Sequence, residues 1–120
     1  MSYNPREIEK KWQKRWEESD AFTTNLDNAK RPYFTHTMFP YPSGDRLHMG
    51  HVYNFSIAHS YARFKRLQGY DVYEPFGFDS FGLPAENYAI KTGIHPAKST
   101  ASNITTMIEQ LKAMGNVYDW

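Results

Sequence analysis

Apolar side chains in this chain recur at helical spacing in some stretches and alternate at strand spacing in others, and the order of those stretches outlines a fold. Ile8, Trp12 and Trp16 return every fourth residue behind Asn4 and Pro5, an N-cap residue and a proline at the first helical position, with Glu7 three places after the cap. The stripe predicts an opening helix that packs along one side. Lys10, Lys11, Lys14 and Arg15 form its other side, read as a solvated face or, alternatively, as a surface for RNA. After a polar, loop-like run from Thr23 to Pro32, Tyr33-Phe-Thr-His-Thr-Met38 alternates and favours β structure, which predicts a first strand ended by Pro40 and Pro42. Between Gly50 and Leu67, Val52, Phe55, Ala58 and Ala62 share one face and Ile57, Tyr61 and Phe64 another. That pattern predicts a helix apolar over a wide arc, substantially buried and closed by Gly69.

Tyr70 to Pro75 predicts a second strand. A strand, a helix of about five turns and another strand form a crossover unit with parallel strands, so the fold class is α/β with a Rossmann-like parallel sheet. A glycine-punctuated loop from Phe76 to Glu86 follows, then a short helix near Ala85 to Thr92 and a break at Gly93 and Pro96. A last helix, starting after Ser99 or Thr100, carries Ile104, Met107, Ile108, Leu111 and Met114 on its core face and stops at Gly115. Both methionines of that stripe read as core. The expected organisation is one partial domain over residues 1–120: an N-terminal helix and loop (1–32), a βαβ core (33–92) and a C-terminal helix with a truncated end (93–120). Asn116-Val-Tyr-Asp-Trp120 reads as the start of another element. A few parallel strands leave edges unpaired and faces half covered, so the chain is expected to be the amino-terminal part of a larger catalytic domain.

Composition narrows the function classes. At 120 residues, 40% apolar and 17% aromatic, the chain suits one domain, burying roughly 65% of its unfolded surface. The absence of cysteine excludes disulfides and thiolate metal sites, and a net charge of +1 announces no global attraction to nucleic acid. No apolar run approaches the ~20 residues of a membrane span, and the opening residues lack the apolar core of a secretion signal. The expectation is a cytoplasmic protein without a membrane partner.

The chemistry concentrates in Phe39-Pro-Tyr-Pro-Ser-Gly-Asp-Arg-Leu-His-Met-Gly-His51, where an extended aromatic run becomes a helix. Such a turn offers free backbone N–H groups and the positive end of the helix dipole, a setting suited to phosphate. His48 and His51 stand three apart, so both imidazoles reach the same side and can donate to phosphate oxygens. Gly50 lets a flat ring or a phosphate approach the backbone. Together they suit charge developing on a pentacoordinate phosphorus. Two other readings exist: a zinc site with His36, which lacks a fourth ligand, and two histidines that only cap a helix. In open parallel sheets ligands bind beyond the carboxyl ends of the strands, which puts the loop from Phe76 to Glu86 at the same crevice.

His48-Met-Gly-His51 resembles the first signature of class I aminoacyl-tRNA synthetases. The flanks Met38-Phe-Pro-Tyr-Pro-Ser-Gly44 and Gly77-Phe-Asp-Ser-Phe-Gly-Leu-Pro-Ala-Glu86 are similar to the leucyl-tRNA synthetase family rather than to its isoleucine, valine or methionine relatives. The resemblance implies a class I catalytic fold and activation of leucine by ATP, with Mg2+ riding on the phosphates, then transfer to tRNA(Leu). It implies ATP contacts at His48, Gly50, His51 and Asn54, with His48 and His51 catalytic. It also implies amino-acid contacts at Met38, Phe39, Tyr41 and Asp79, the last holding the α-ammonium. Asp79 has a second reading, a local cap on Leu83 or Ala85. Relatives in that family also carry a Lys-Met-Ser-Lys-Ser-type signature, an editing insertion and an anticodon-region domain that this sequence lacks. Activity is therefore expected to be weak or absent alone, and remaining segments of the same enzyme are expected partners. The alternative readings are a non-catalytic adenine-nucleotide or aminoacyl-adenylate binding module, and an unrelated nucleotidyltransferase using the same turn.

Overall fold

Pro5 has no N–H to leave unpaired in a first helical turn, and α1 (Pro5–Glu18) begins there in the computed structural model, which describes residues 3–120. The first two residues of the expected 1–32 segment lie outside the described residues. Asn4 holds the N-cap position, yet its side chain makes no capping bond, contrary to the expected signature. The Ile8 N–H bonds instead to the Asn4 carbonyl at 3.2 Å. The apolar stripe packs less than its spacing predicts. Ile8 and Trp12 stay exposed, and Trp16 is half-buried, edge-on to Phe22 and under the Arg63 guanidinium 4.2 Å from its ring. The helix is fastened mainly by side-chain ties, Gln13 Nε2 to the Ala113 carbonyl and Lys112 Nζ to Glu17 Oε1.

After a single turn of 3-10 helix (Leu26–Asn28), β1 (Pro32–Phe34) pairs in parallel with β2 (Asp71–Tyr73), with Tyr33 opposite Val72. The strand is shorter than the expected run to Met38. Its last ladder bond runs from the Thr35 N–H to the Tyr73 carbonyl at 3.1 Å. The next donor in the ladder belongs to residue 75, and Pro75 has none. On the other edge of β2 the Asp119 N–H reaches the Glu74 carbonyl at 3.0 Å, and Pro75 bridges Asp119 in parallel. Asp119 thus forms a single parallel bridge beside β2, and the sheet of the described residues has two strands.

Helix α2 (Met49–Leu67) connects the strands and buries Phe55, His59 and Ala62; Gly69, at φ +80°, turns the chain back toward β2. Its second apolar face is not covered. Ile57, Tyr61 and Phe64 stand about half exposed, because so narrow a sheet gives only one face of the helix something to lie on. Helices α3 (Leu83–Thr92) and α4 (Pro96–Ala113) start before the expected Ala85 and Ser99, since Pro84 and Pro96 sit in their first turns rather than breaking them. Helix α4 buries Ser99, Asn103, Met107 and Leu111 at every fourth position. Met114 caps its exposed end and is not a core residue, a correction to the expected stripe.

The core joins these elements through Phe55, Phe76, Leu111 and Tyr118, with Leu47 and Phe78 packed at its margin. Behind it lies a buried polar pair, His59 Nδ1 at 2.9 Å from Glu74 Oε2. The Val117 N–H donates to His59 Nε2 at 3.3 Å, so the ring hydrogen sits on Nδ1 and donates to the carboxylate. Glu74 Oε1 has no partner among the described residues. Among those residues no helix is long and apolar enough to cross a membrane.

Candidate nucleotide and amino-acid site

The turn at the head of α2 is built by its own histidines. His48 is the N-cap, in extended conformation, and its Nδ1 accepts the Gly50 N–H at 3.1 Å. His51, three residues on, reciprocates: its Nδ1 accepts the His48 N–H at 3.3 Å. The result is a capping box with imidazoles in place of the usual hydroxyl and carboxylate. The rings stack with centroids 3.8 Å apart and planes 23° from parallel, and His51 lies nearly parallel to Phe55 with centroids 5.6 Å apart.

This geometry revises one expectation and sharpens another. The N–H groups of His48 and Gly50 are not free, because the two rings take them. The chemistry the turn offers moves outward to the imidazoles themselves. A nitrogen that accepts a hydrogen bond carries no hydrogen, so in both rings the hydrogen is on Nε2. The stacked pair therefore keeps two Nε2–H donors without a partner among the described residues. Burial, and then the neighbouring His48 ring, hold His51 below its ordinary value of 6.5, which favours the uncharged form that capping needs.

Gly50 has a role that its sequence context does not supply. A β-carbon there would lie 2.9 Å from His48 Cε1 and 3.0 Å from Nδ1, pressed against the ring that caps the helix. Its missing side chain makes room for His48 as well as for any approaching ligand. Asn54 is one turn further along α2 and exposed.

The loop of the expected amino-acid contacts runs beside the loop after β2. The Asp79 N–H donates to the Pro40 carbonyl at 3.0 Å, and the Phe39 ring lies across Gly77, 3.3 Å from where a β-carbon would be. Met38, Phe39 and Tyr41 are exposed, while Pro40 and Pro42, on either side of Tyr41, are buried. The prolines thus anchor the loop and the side chains around them face outward. The Asp79 carboxylate is exposed and makes no hydrogen bond among the described residues, and α3 has no side-chain cap, so the local-cap reading of Asp79 fails. An uncommitted carboxylate suits an ammonium group. The two loops are joined to the histidine turn through Phe76, whose ring meets Phe39 at 6.2 Å and Phe55 at 5.2 Å between centroids.

Two residues that hold the site are not singled out by the sequence. Asn103 Nδ2 donates to the Pro42 carbonyl at 3.0 Å, and Gln110 Oε1 accepts the Leu47 N–H at 2.8 Å. Both belong to α4 and pin the ends of the loop that leads into the histidine turn. The one signal for Asn103 is its place four residues before Met107, a polar residue in line with the apolar stripe. His36 stacks on Phe34 and meets Phe39 edge-on. Among the described residues no group of His, Asp and Glu side chains is placed to hold a metal ion.

Comparison with known proteins places this geometry. The family model for class I tRNA synthetases (I, L, M and V) matches residues 11–120. A leucine–tRNA ligase of Clostridium botulinum (strain Langeland) is 58% identical over 113 residues, covering 94% of this chain and 14% of that protein. A leucine–tRNA ligase of Caldanaerobacter subterraneus is 57% identical over 120 residues, covering 100% of this chain and again 14% of the relative. Among solved structures, a ternary LeuRS–tRNA–LeuAMS complex from Agrobacterium radiobacter K84 superposes with a TM-score of 0.93 at 41% identity, covering 99% of this chain and 15% of that one. A Mycobacterium tuberculosis methionyl-tRNA synthetase in complex with methionyl-adenylate follows at a TM-score of 0.72 and 31% identity, covering 75% and 18%. The α/β fold expected from the sequence is thus the fold of class I synthetase catalytic domains, and this chain spans about one seventh of the length of the ligases it matches.

Proposed function

Because this chain belongs to the class I tRNA synthetases, we propose that it forms the adenylate-binding half of a leucine-activating site, in an enzyme that charges tRNA(Leu) in the cytoplasm. The observation that carries the reading is the reciprocal histidine cap, which leaves two Nε2–H donors stacked at the head of α2. In the reaction a leucine carboxylate oxygen attacks the α-phosphorus of ATP, the bond to the bridging oxygen breaks, and pyrophosphate leaves. The donors of His48 and His51 stabilise the negative charge that grows on the phosphoryl oxygens. Gly50 and Asn54 border the nucleotide at the helix start. Asp79 pairs with the α-ammonium of leucine, the backbone at Met38 and Phe39 lies beside it, and Tyr41 borders the side chain. Mg2+ arrives with the triphosphate, as an ion that keeps most of its ligands from phosphate and water.

Remaining segments of the same enzyme would supply the charge that receives pyrophosphate. Removing one such stabiliser costs about a hundredfold to a thousandfold in rate, so this chain alone is expected to exchange slowly. Leucine-dependent exchange of labelled pyrophosphate into ATP tests the proposal. A slow signal abolished in His48→Ala and His51→Ala supports it, and a measurable signal that is equal in wild type and both variants refutes it.

A further inference from the structure

We propose that Phe76 is a positioning residue, a shared wall that holds the amino-acid loop and the histidine turn at the separation one adenylate must span. The proposal rests on the leucine-activation reading above. Phe76 lies three residues past the end of β2 and is only 7% exposed. Its ring touches both half-sites from one place. Phe39, in the loop read as holding the amino acid, tilts against it with centroids 6.2 Å apart. Phe55, which stacks under His51, meets it edge-on at 5.2 Å. The ring cannot slide away, because Tyr118 lies nearly flat on it, with centroids 4.5 Å apart and planes 23° from parallel. Tyr118 is braced in turn by His59, at 5.2 Å between ring centroids, and by Asn116 Nδ2, which donates to its hydroxyl at 2.8 Å.

The consequence is specific to a ligand that touches both sides. Free leucine needs only the loop and AMP only the histidine turn, so a small change in their separation leaves each contact intact. An aminoacyl-adenylate binds both at once, and its advantage over the separate pieces depends on the spacing being right. Aliphatic replacements fill much of the volume of Phe76 but lack the flat face and edges that set its five aromatic neighbours, Phe39, Phe55, Phe78, Tyr118 and Trp120, at fixed angles.

Calorimetric titration of the chain with leucine, AMP and a non-hydrolysable leucyl-adenylate analogue tests this. In Phe76→Leu the analogue is expected to bind about thirtyfold more weakly or worse. Leucine and AMP are expected to stay within about threefold of wild type, and the ring-keeping Phe76→Tyr to recover most of the loss. Parallel weakening of all three ligands would mark a merely structural role and overturn the proposal, as would an unchanged affinity for the analogue. If circular dichroism shows Phe76→Leu unfolded, Tyr118→Leu, which frees the ring from behind, replaces it in the same comparison: selective loss of the analogue supports the proposal, and parallel loss or no loss overturns it. Failure of the wild-type chain to bind any of the three would instead overturn the leucine-activation reading, and this proposal with it.

Discussion

Replacing Gly50 by alanine separates stability from chemistry at the histidine turn. The added methyl would stand 2.9 Å from His48 Cε1 and 3.0 Å from Nδ1, closer than real carbon contacts allow, so the imidazole must swing out. Swinging out breaks the Gly50 N–H bond to Nδ1 and unstacks the ring from His51. Loss of an N-cap costs about 1 kcal/mol, while alanine in place of glycine in a helix returns nearly the same amount, about 1 kcal/mol. Thermal unfolding of Gly50→Ala should therefore stay within about 1 kcal/mol of wild type. The displaced donor should nonetheless lower pyrophosphate exchange roughly a hundredfold. Amide hydrogen exchange at residue 50 gives an independent reading, since its acceptor has gone and its protection should fall. A variant that keeps both the exchange rate and the amide protection of wild type would show that the His48 ring does not depend on an empty position 50.

Other variants probe the remaining supports. His48→Asn keeps an N-cap acceptor and should hold the melting temperature near wild type while abolishing activity, whereas His48→Ala should lose activity and about 1 kcal/mol of stability. Asn103→Ala leaves the buried Pro42 carbonyl without its donor and should cost about 1–3 kcal/mol in denaturant unfolding. His59→Leu removes the hydrogen-bond donor to the buried Glu74 side chain, a loss of about 1–3 kcal/mol by the same measurement. Folded His51 lies below its unfolded value of 6.5, so the unfolded chain binds the proton first and the contribution of His51 to stability is full above pH 6.5. That contribution should fade as pH drops through 6.5 toward the folded value, visible as a His51 imidazole NMR titration displaced to the acid side; a titration at or above 6.5 would contradict the cap.

Much of the architecture is legible in the sequence because it follows from local chemistry. The spacing of Phe55, Ala62, Met107 and Leu111 points to the faces that become buried, and Gly69 and Gly115 mark helix ends by their left-handed φ of 80° and 79°. Features that depend on distant partners are not legible. Ile57, Tyr61 and Phe64 look like core by periodicity, but periodicity cannot say whether a second surface exists to cover them. The length of β1 is hidden for the same reason, since its ladder ends at a proline on the other strand. At the site, His48, Gly50 and His51 can be singled out from the few letters around them. Asn103 and Gln110 cannot, because what makes them matter is a loop about sixty residues away in sequence.

On the proposed reading, the two histidines serve the fold and the chemistry together. A flexible donor must be frozen before it can favour a transition state over a ground state, and freezing a side chain costs entropy. Here the freezing is done by helix capping, which the fold requires in any case because the first turn of α2 has N–H groups to satisfy. Each Nδ1 is committed to the backbone, and each Nε2–H has no partner among the described residues, its tautomer already chosen. A lysine or arginine at either position could offer more charge but has no lone pair with which to accept a backbone N–H. Serine or aspartate could cap but would not reach beyond the helix end as a donor. Imidazole meets both demands at once, accepting on one nitrogen and donating from the other across the width of the ring, which ties the residue type at 48 and 51 to the turn itself.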